Sequence, residues 1–223
     1  MIENLKTENL FDIQRTIAKD IFCECTYPWE ILPKIREFIS VFGKTLPDDK
    51  FYLYKENVWI AKSCKLYPNI YIDAPCIIDE ETEIRPGAFI RGSVIVGKNC
   101  VIGNSTELKN CIIFDSVQVP HFNYVGDSIL GYKSHIGAGG VTSNVKSDKS
   151  RVILHLGDED IETGFKKFGA MIGDYVEVGC NSVLNPGTVI GRNSTVYPAS
   201  SVRGFIPENC IFKGERGICA KRR

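Results

Sequence analysis

The sequence predicts a mainly β protein, a left-handed parallel β-helix of hexapeptide repeats with a short α-helical N-terminal cap. Three observations predict it. From Ile60, steps of six land on Leu66, Ile72, Ile78, Ile84, Ile90, Val96, Ile102 and Leu108. Steps of five and six continue the series through Ile113, Val119, Val125, Leu130 and Ile136, and it resumes at Ile172, Val178, Leu184, Ile190, Val196 and Val202. Ile, Leu and Val are roughly a quarter of the chain, so a series this long without a polar residue requires a structural period. Second, a small or β-branched residue stands four positions after the aliphatic, as at Cys64, Cys76, Thr82, Ala88, Val94, Cys100 and Thr106, then Val176, Ser182, Thr188, Ser194 and Ser200. Third, Gly often follows the aliphatic directly, as at Gly97, Gly103, Gly137, Gly173, Gly179 and Gly191.

A six-residue beat fits neither the period of 2.0 of a strand nor the 3.6 of a helix. It fits a coil in which six residues make one flat face and a turn. The aliphatic points inward, the small residue fills a second inward slot, and Gly, Asn or Asp takes the corner. Three faces close a coil of about eighteen residues, stacked near ~4.8 Å by parallel pairing, and the hexads suffice for about seven coils. A left-handed winding departs from the usual right-handed crossover. A β-sandwich would alternate along its strands but has no reason to hold a fixed period.

Two segments leave the beat. Residues 1–57 read as helical cap and lead-in. Leu10, Ile13, Ile17 and Ile21, then Trp29, Leu32, Ile35 and Ile39, have helical spacing, and Thr26 before Pro28 and Glu30 marks a helix start. Two helices are expected to cover the open first coil. Residues 58–212 form the β-helix. A polar, charged stretch near 142–170, including Gly157, Asp158, Glu159 and Asp160, is expected as a loop thrown out of the coil. Residues 213–223 form a tail ending in Lys221, Arg222 and Arg223.

The 223 residues carry 27 Lys+Arg and 27 Asp+Glu, with a pI near 6.8. This balance argues against a nucleic-acid or polybasic membrane binder. Charges interrupt every apolar run well short of a membrane span, and Met1–Lys6 lacks the pattern of a signal peptide. Nine cysteines without metal spacing point to reduced thiols and a cytoplasmic protein.

The chemistry must come from polar residues that a repeat does not need. His121 interrupts a hexad, Val119 to Tyr124, in the part of the chain where the step slips to five. A neutral imidazole there suits proton abstraction from an amine, and the same position suits a structural His bonded to a carbonyl. Spacings of 14 and 20 do not bring His121, His135 and His155 to one corner of adjacent coils, so no metal site is expected. Arg91 and Lys109 lie eighteen residues apart, one full coil. Stacked, they form either a phosphate clamp or two solvated cations. Nothing basic flanks Cys180, which reads as a corner filler.

These residues sit in longer motifs: Arg91; Gly103-Asn104-Ser105-Thr106-Glu107-Leu108-Lys109; Pro120-His121-Phe122-Asn123-Tyr124-Val125-Gly126-Asp127; and Gly137-Ala138-Gly139-Gly140-Val141-Thr142-Ser143-Asn144. The set resembles the acetyltransferase part of bifunctional bacterial enzymes that acetylate glucosamine-1-phosphate and then uridylylate it. Residues 160–174 look like the archaeal-type sugar-1-phosphate nucleotidylyltransferase/acetyltransferases. The resemblance covers residues 58 to about 212. It implies His121 as general base, Arg91 and Lys109 on the sugar phosphate, and Tyr124 and Asn144 on the sugar. It places Ala138, Cys180 and Ala199 along the coenzyme A arm of acetyl-CoA, and it implies a homotrimer with its sites between subunits. His135 stands where many bacterial relatives carry a sugar-contacting Asn. Gly140 replaces a Thr and Pro120 a Gly. Residues 1–57 carry no Gly-rich nucleotide loop and are too few for a nucleotidyltransferase domain, so the chain is not expected to make a nucleotide sugar alone. The reading is acetyl-CoA-dependent N-acetyl transfer to an amino-sugar phosphate. The rival reading is a catalytically silent hexapeptide trimer that binds a nucleotide sugar or a nucleotidyltransferase partner.

Overall fold

The computed structural model describes residues 2–156 and 159–222. Met1, Gly157 and Asp158 of the acidic run, and Arg223 of the tail lie outside the described residues. The chain winds into a parallel β-solenoid with three faces. One face carries eight rungs: Val58–Ala61, Cys76–Ile78, Val94–Val96, the second halves of Glu107–Ile113 and Tyr124–Leu130, then Ala170–Ile172, Thr188–Ile190 and Phe205–Ile206. That is one more than the repeat count suggested. The second face starts at Tyr71–Ile72 and Phe89–Ile90, takes the first halves of the same two long strands, and continues through Val141–Thr142, Val183–Leu184 and Ser201–Val202. The third face holds Val101–Asn104, Gln118–His121 and His135–Ile136 among its rungs.

The slips in the beat have a structural meaning. Val94 pairs with Cys111 and Cys111 with Ser128, each 17 residues on, where Val58 to Cys76 is 18. The five-residue steps, Leu108 to Ile113 and Val125 to Leu130, delete a corner residue. A single strand therefore runs through from one face to the next. Every aliphatic of the series is buried except Leu66, which is partly so. Thr82, Thr106, Ser182, Thr188 and Ser194 fill the second slot and send their hydroxyls to carbonyls, which removes the cost of burying them. All nine cysteines are free thiols; burial raises the pKa of Cys76, Cys100 and Cys111, which act as small apolar filling.

The N-terminal segment differs from expectation. Only Ile35–Phe42 is a helix of two turns; the stretch expected as a first helix is a series of short turns, Thr7–Leu10, Ile13–Arg15 and Lys19–Phe22. Its backbone groups are taken by the solenoid. Asp12 N–H donates to Asp174 at 2.7 Å, Leu10 C=O accepts from Asp174 N–H, and Arg15 C=O accepts from Asp115 N–H. Those bonds replace the i to i−4 ladder of a continuous helix. At the expected helix start Glu30 accepts from the Thr26 and Tyr27 amides, but the element it opens, Pro28–Ile31, is a 3-10 turn capped at Tyr27, and the α-helix begins only at Ile35.

The segment also lies along a face rather than over the open end alone. The first face carries a second apolar column pointing outward: Ile77, Ile95, Ile112, Ile129, Met171 and Val189, all fully buried. An outward apolar column must be covered. Phe11 and Phe22 pack on Phe114 with ring centroids 5.3 and 5.6 Å apart, and Trp29 packs on Phe168 at 5.6 Å.

The insert is a hairpin rather than an open loop. Ile129 pairs with Met171, 42 positions on, 24 more than one coil of 18. Within it Ile153–Leu156 pairs antiparallel with Glu159–Glu162, and Val152, Leu154 and Leu156 are buried. The expected free tail instead adds Ile218–Ala220 antiparallel to Cys210–Phe212, as Phe51–Lys55 does to Val58–Ala61 at the other end. Both additions occupy strand edges that would otherwise be open. No described helix is long and apolar enough to cross a membrane.

Candidate functional site

Four coils bring most of the motif residues to the second face and its corner with the third. Register pairs Phe89 with Glu107 and Ile90 with Leu108, and Arg91 N–H donates to Leu108 C=O. Arg91 and Lys109 are therefore stacked one rung apart, pointing outward, as their spacing requires. Each has an acid beside it. Arg91 Nη1 lies 2.7 Å from Glu107 Oε1, and Lys109 Nζ lies 3.7 Å from Asp127 Oδ2. Arg91 is the more open of the two, and a guanidinium keeps further N–H donors beyond the one that meets Glu107.

Asp127 is the hub of this face. It is 4% exposed and carries φ 48°, a left-handed conformation that Asp tolerates. Its Oδ1 accepts from Asn110 Nδ2 at 2.8 Å, and its Oδ2 accepts from Asn144 Nδ2. The same Asn144 amide donates to the Tyr124 hydroxyl at 3.2 Å. Burial, followed by the nearby Asp127 charge, pushes the Tyr124 phenol up, so its own proton stays available to donate. Gly126 makes room for this arrangement: a Cβ there would stand 2.4 Å from the Tyr124 hydroxyl.

His121 ends the strand Gln118–His121, in register with Asn104. It is exposed, and its imidazole makes no hydrogen bond among the described residues. The reading of a structural His bonded to a carbonyl is therefore not what the structure has. The corner is held instead by Asn123, which is 3% exposed. Its Oδ1 accepts from the His121 N–H at 3.0 Å, and its Nδ2 donates to Gly137 and Gly140 carbonyls at 2.8 and 3.1 Å. Beyond the corner, Phe122, Gly139, Asn181 and Ala199 stack with φ of 51°, 70°, 54° and 55°. Each donates its N–H to the previous coil, the last three to His121, Ala138 and Cys180 carbonyls. Ala138 and Cys180 thus share one corner column with His121, and Ala199 stands one residue beyond it, in the column of Phe122, Gly139 and Asn181. The corner amides are committed to that ladder, whereas the Ala138 N–H has no backbone partner among the described residues.

His135 is not brought to this cluster within one chain. It pairs in register with Gln118, three residues before His121, and its Nδ1 lies 2.9 Å from Glu177 Oε2. His155 sits in the inserted hairpin against Asp160 at 2.7 Å. Among the described residues no group of three or more His, Cys, Asp and Glu is arranged to hold a metal ion.

Sequence reasoning assigned no role to Asn123, Asp127, Asn110 or Glu107. A signal existed for Asn123, a polar residue in the inward slot four after Val119 where the repeat carries a small or β-branched one. Nothing in the spacing foretold that Asp127 would tie Asn144 to Lys109.

The molecule is thus a hexapeptide-repeat β-solenoid with a polar site on one face. Residues 72–152 match the family described as the GMPPB C-terminal domain. The chain is 31% identical over 203 residues to the bifunctional protein GlmU of Methanococcus maripaludis, covering 88% of this chain and 48% of that protein. It is 31% identical over 164 residues to a bifunctional sugar-1-phosphate nucleotidylyltransferase/acetyltransferase of Sulfurisphaera tokodaii, covering 65% and 41%. The chain is a relative of these bifunctional proteins and spans about half the length of those it matches. Among solved structures it is similar to AntD, an N-acyltransferase from Bacillus cereus, at 20% identity and TM-score 0.42, covering 78% of this chain and 91% of that one.

Proposed function

We propose that the protein is an acetyl-CoA-dependent N-acetyltransferase acting on an amino-sugar phosphate, with glucosamine-1-phosphate as the acceptor. One observation carries the reading. An unbonded imidazole, a phenol–amide pair and two stacked cations share a face and its corner within one chain. An ammonium group is no nucleophile until it loses its proton. His121 takes that proton as the amine nitrogen bonds to the acetyl carbon. The carbon–sulfur bond then breaks, and the proton is delivered to the departing thiolate. In this scheme the Ala138 N–H, which has no backbone partner among the described residues, donates to the thioester oxygen, where charge develops. Cys180 continues that column and Ala199 stands one residue beyond it, both along the coenzyme A arm. Tyr124 and Asn144 meet the sugar, and Arg91 and Lys109 meet the phosphate. His135 contacts the sugar from the edge of the third face when a neighbouring subunit closes the cleft. No metal, nucleic acid or membrane enters the scheme, and a cytoplasmic location suits nine free thiols.

Thiol release from acetyl-CoA against a set of amino-sugar phosphates tests the reading. Release with glucosamine-1-phosphate supports it. Binding of sugar phosphates without any release leaves the silent trimer. Arg91→Ala or Lys109→Ala is expected to raise KM for the sugar phosphate, by about 1.5–3 kcal/mol of lost binding, and to leave KM for acetyl-CoA nearly unchanged. Each substitution also leaves Glu107 or Asp127 facing the phosphate without its cation. An effect on acetyl-CoA alone would remove both residues from the phosphate site.

The reading includes a homotrimer. One prism presents a convex face, and neighbouring prisms supply the second wall of a cleft. Sedimentation is expected to give three times the 24.9 kDa of one chain. A monomer at micromolar concentration would argue against both the trimer and the enclosed site.

A further inference from the structure

The outward column of the second face does not end at the cations. Reading toward the N-terminal coils, Tyr124 pairs in register with Glu107, Glu107 with Phe89, and Phe89 with Tyr71. Phe89 and Tyr71 are 40% and 55% exposed, and they form an edge-to-face pair with centroids 5.5 Å apart. A hexapeptide coil does not require aromatics there: later rungs of the same column carry Val141, Val183 and Ser201. A cation flanks each ring. Arg91 lies 5.9 Å from the Phe89 centroid, and Lys55 Nζ lies 5.3 Å from that of Tyr71.

We propose that this aromatic pair is a base-stacking subsite, so that the same site also accepts, and prefers, an amino sugar carried on a nucleoside diphosphate. The inference rests on the acetyltransferase reading for which end of the ligand is the sugar. Order along the column argues for it. The imidazole and phenol come first, then Lys109 one rung on, then Arg91 and Phe89 together on the next rung, then Tyr71. At about 4.8 Å per rung, Tyr124 to Phe89 and Tyr71 spans about 10–15 Å. A diphosphate reaches across the two cations, and the base lies on exposed aromatic surface beside positive charge. Stacking on aromatic side chains is tolerant of base identity, since every base offers a π-face.

Initial rates of thiol release are measured with glucosamine-1-phosphate and with uridine diphosphate glucosamine, for the wild type, Tyr71→Ala and Phe89→Ala. The nucleotide-linked acceptor is expected to have the higher kcat/KM. Each substitution is expected to lower the ratio of nucleotide-linked to plain acceptor by roughly tenfold, and Tyr71→Phe to restore it. Calorimetry with uridine and guanosine diphosphates reads the subsite without turnover, and both are expected to bind the wild type and to lose affinity in Tyr71→Ala. If neither acceptor releases thiol but the diphosphates bind in this way, the catalytic reading fails and the subsite stands. If glucosamine-1-phosphate is acetylated and the ratio never moves, the subsite is refuted and the catalytic reading stands. A Tyr71→Ala variant that loses its oligomeric mass without a change in nucleotide affinity would make the pair a subunit contact and overturn the inference.

Discussion

His121→Ala is expected to lower kcat by about 10²–10⁴ while leaving the fold and acetyl-CoA binding intact, the span for loss of a general base. The fold is expected to survive because the imidazole holds nothing: Asn123 pins the corner through the His121 backbone, and that bond does not depend on the side chain. Raising the pH is expected to rescue the variant in part, since more of the acceptor amine is then unprotonated. Circular dichroism and a direct acetyl-CoA titration separate lost catalysis from lost structure. Full activity in His121→Ala with an unchanged pH profile would refute the general-base assignment and favour the silent binder.

Gly103→Ala is expected to destabilise the protein by about 3 kcal/mol or more, at the upper end of what overpacking costs. Gly103 lies one rung below Pro120, and a Cβ would stand 1.5 Å from the Pro120 carbonyl oxygen. Backbone cannot yield as a side-chain tip does, so two coils must part beside His121. Gly164→Ala is the internal comparison. Gly164 has φ 78° with nothing within 4 Å of its added Cβ, so it is expected to cost only about 1–2 kcal/mol of backbone strain. Denaturant unfolding of both variants reads the difference. Equal losses at the two positions would contradict the close approach at Gly103.

The solenoid was legible because its information is periodic. An inward aliphatic every six residues states both the coil and its register, and even the slips at Leu108–Ile113 and Val125–Leu130 marked where strands run through a corner. The eighteen-residue spacing of Arg91 and Lys109 gave their stacking for the same reason. The N-terminal segment was harder. Its apolar spacing was real, but a helix and a string of turns bury the same side chains. The deciding bonds come from Asp115 and Asp174, a hundred residues or more away in sequence. The outward column of Ile77, Ile95, Ile112 and Ile129 was visible as second apolar residues in their hexads, yet only a three-dimensional face shows that they form one stripe. Asp127 was hidden for a related reason. Its partners Asn110, Lys109 and Asn144 lie 17, 18 and 17 residues away, so they meet only once the shortened coils are built.

The strap over the first face changes how the solenoid should come apart. An array in which each rung touches only its neighbours loses rungs singly from its ends. Here one segment reaches from Trp59, against which Gly43 is packed, to Asp115, Phe168 and Asp174. Lifting it uncovers apolar surface on several rungs at once. Those rungs are therefore expected to exchange as one unit, their amides opening together at a single free energy in native-state hydrogen exchange. The strap docks on rungs that must already be paired, so it is expected to join late in folding although it comes first in the chain, and substitutions such as Phe22→Leu are expected to speed unfolding more than they slow folding.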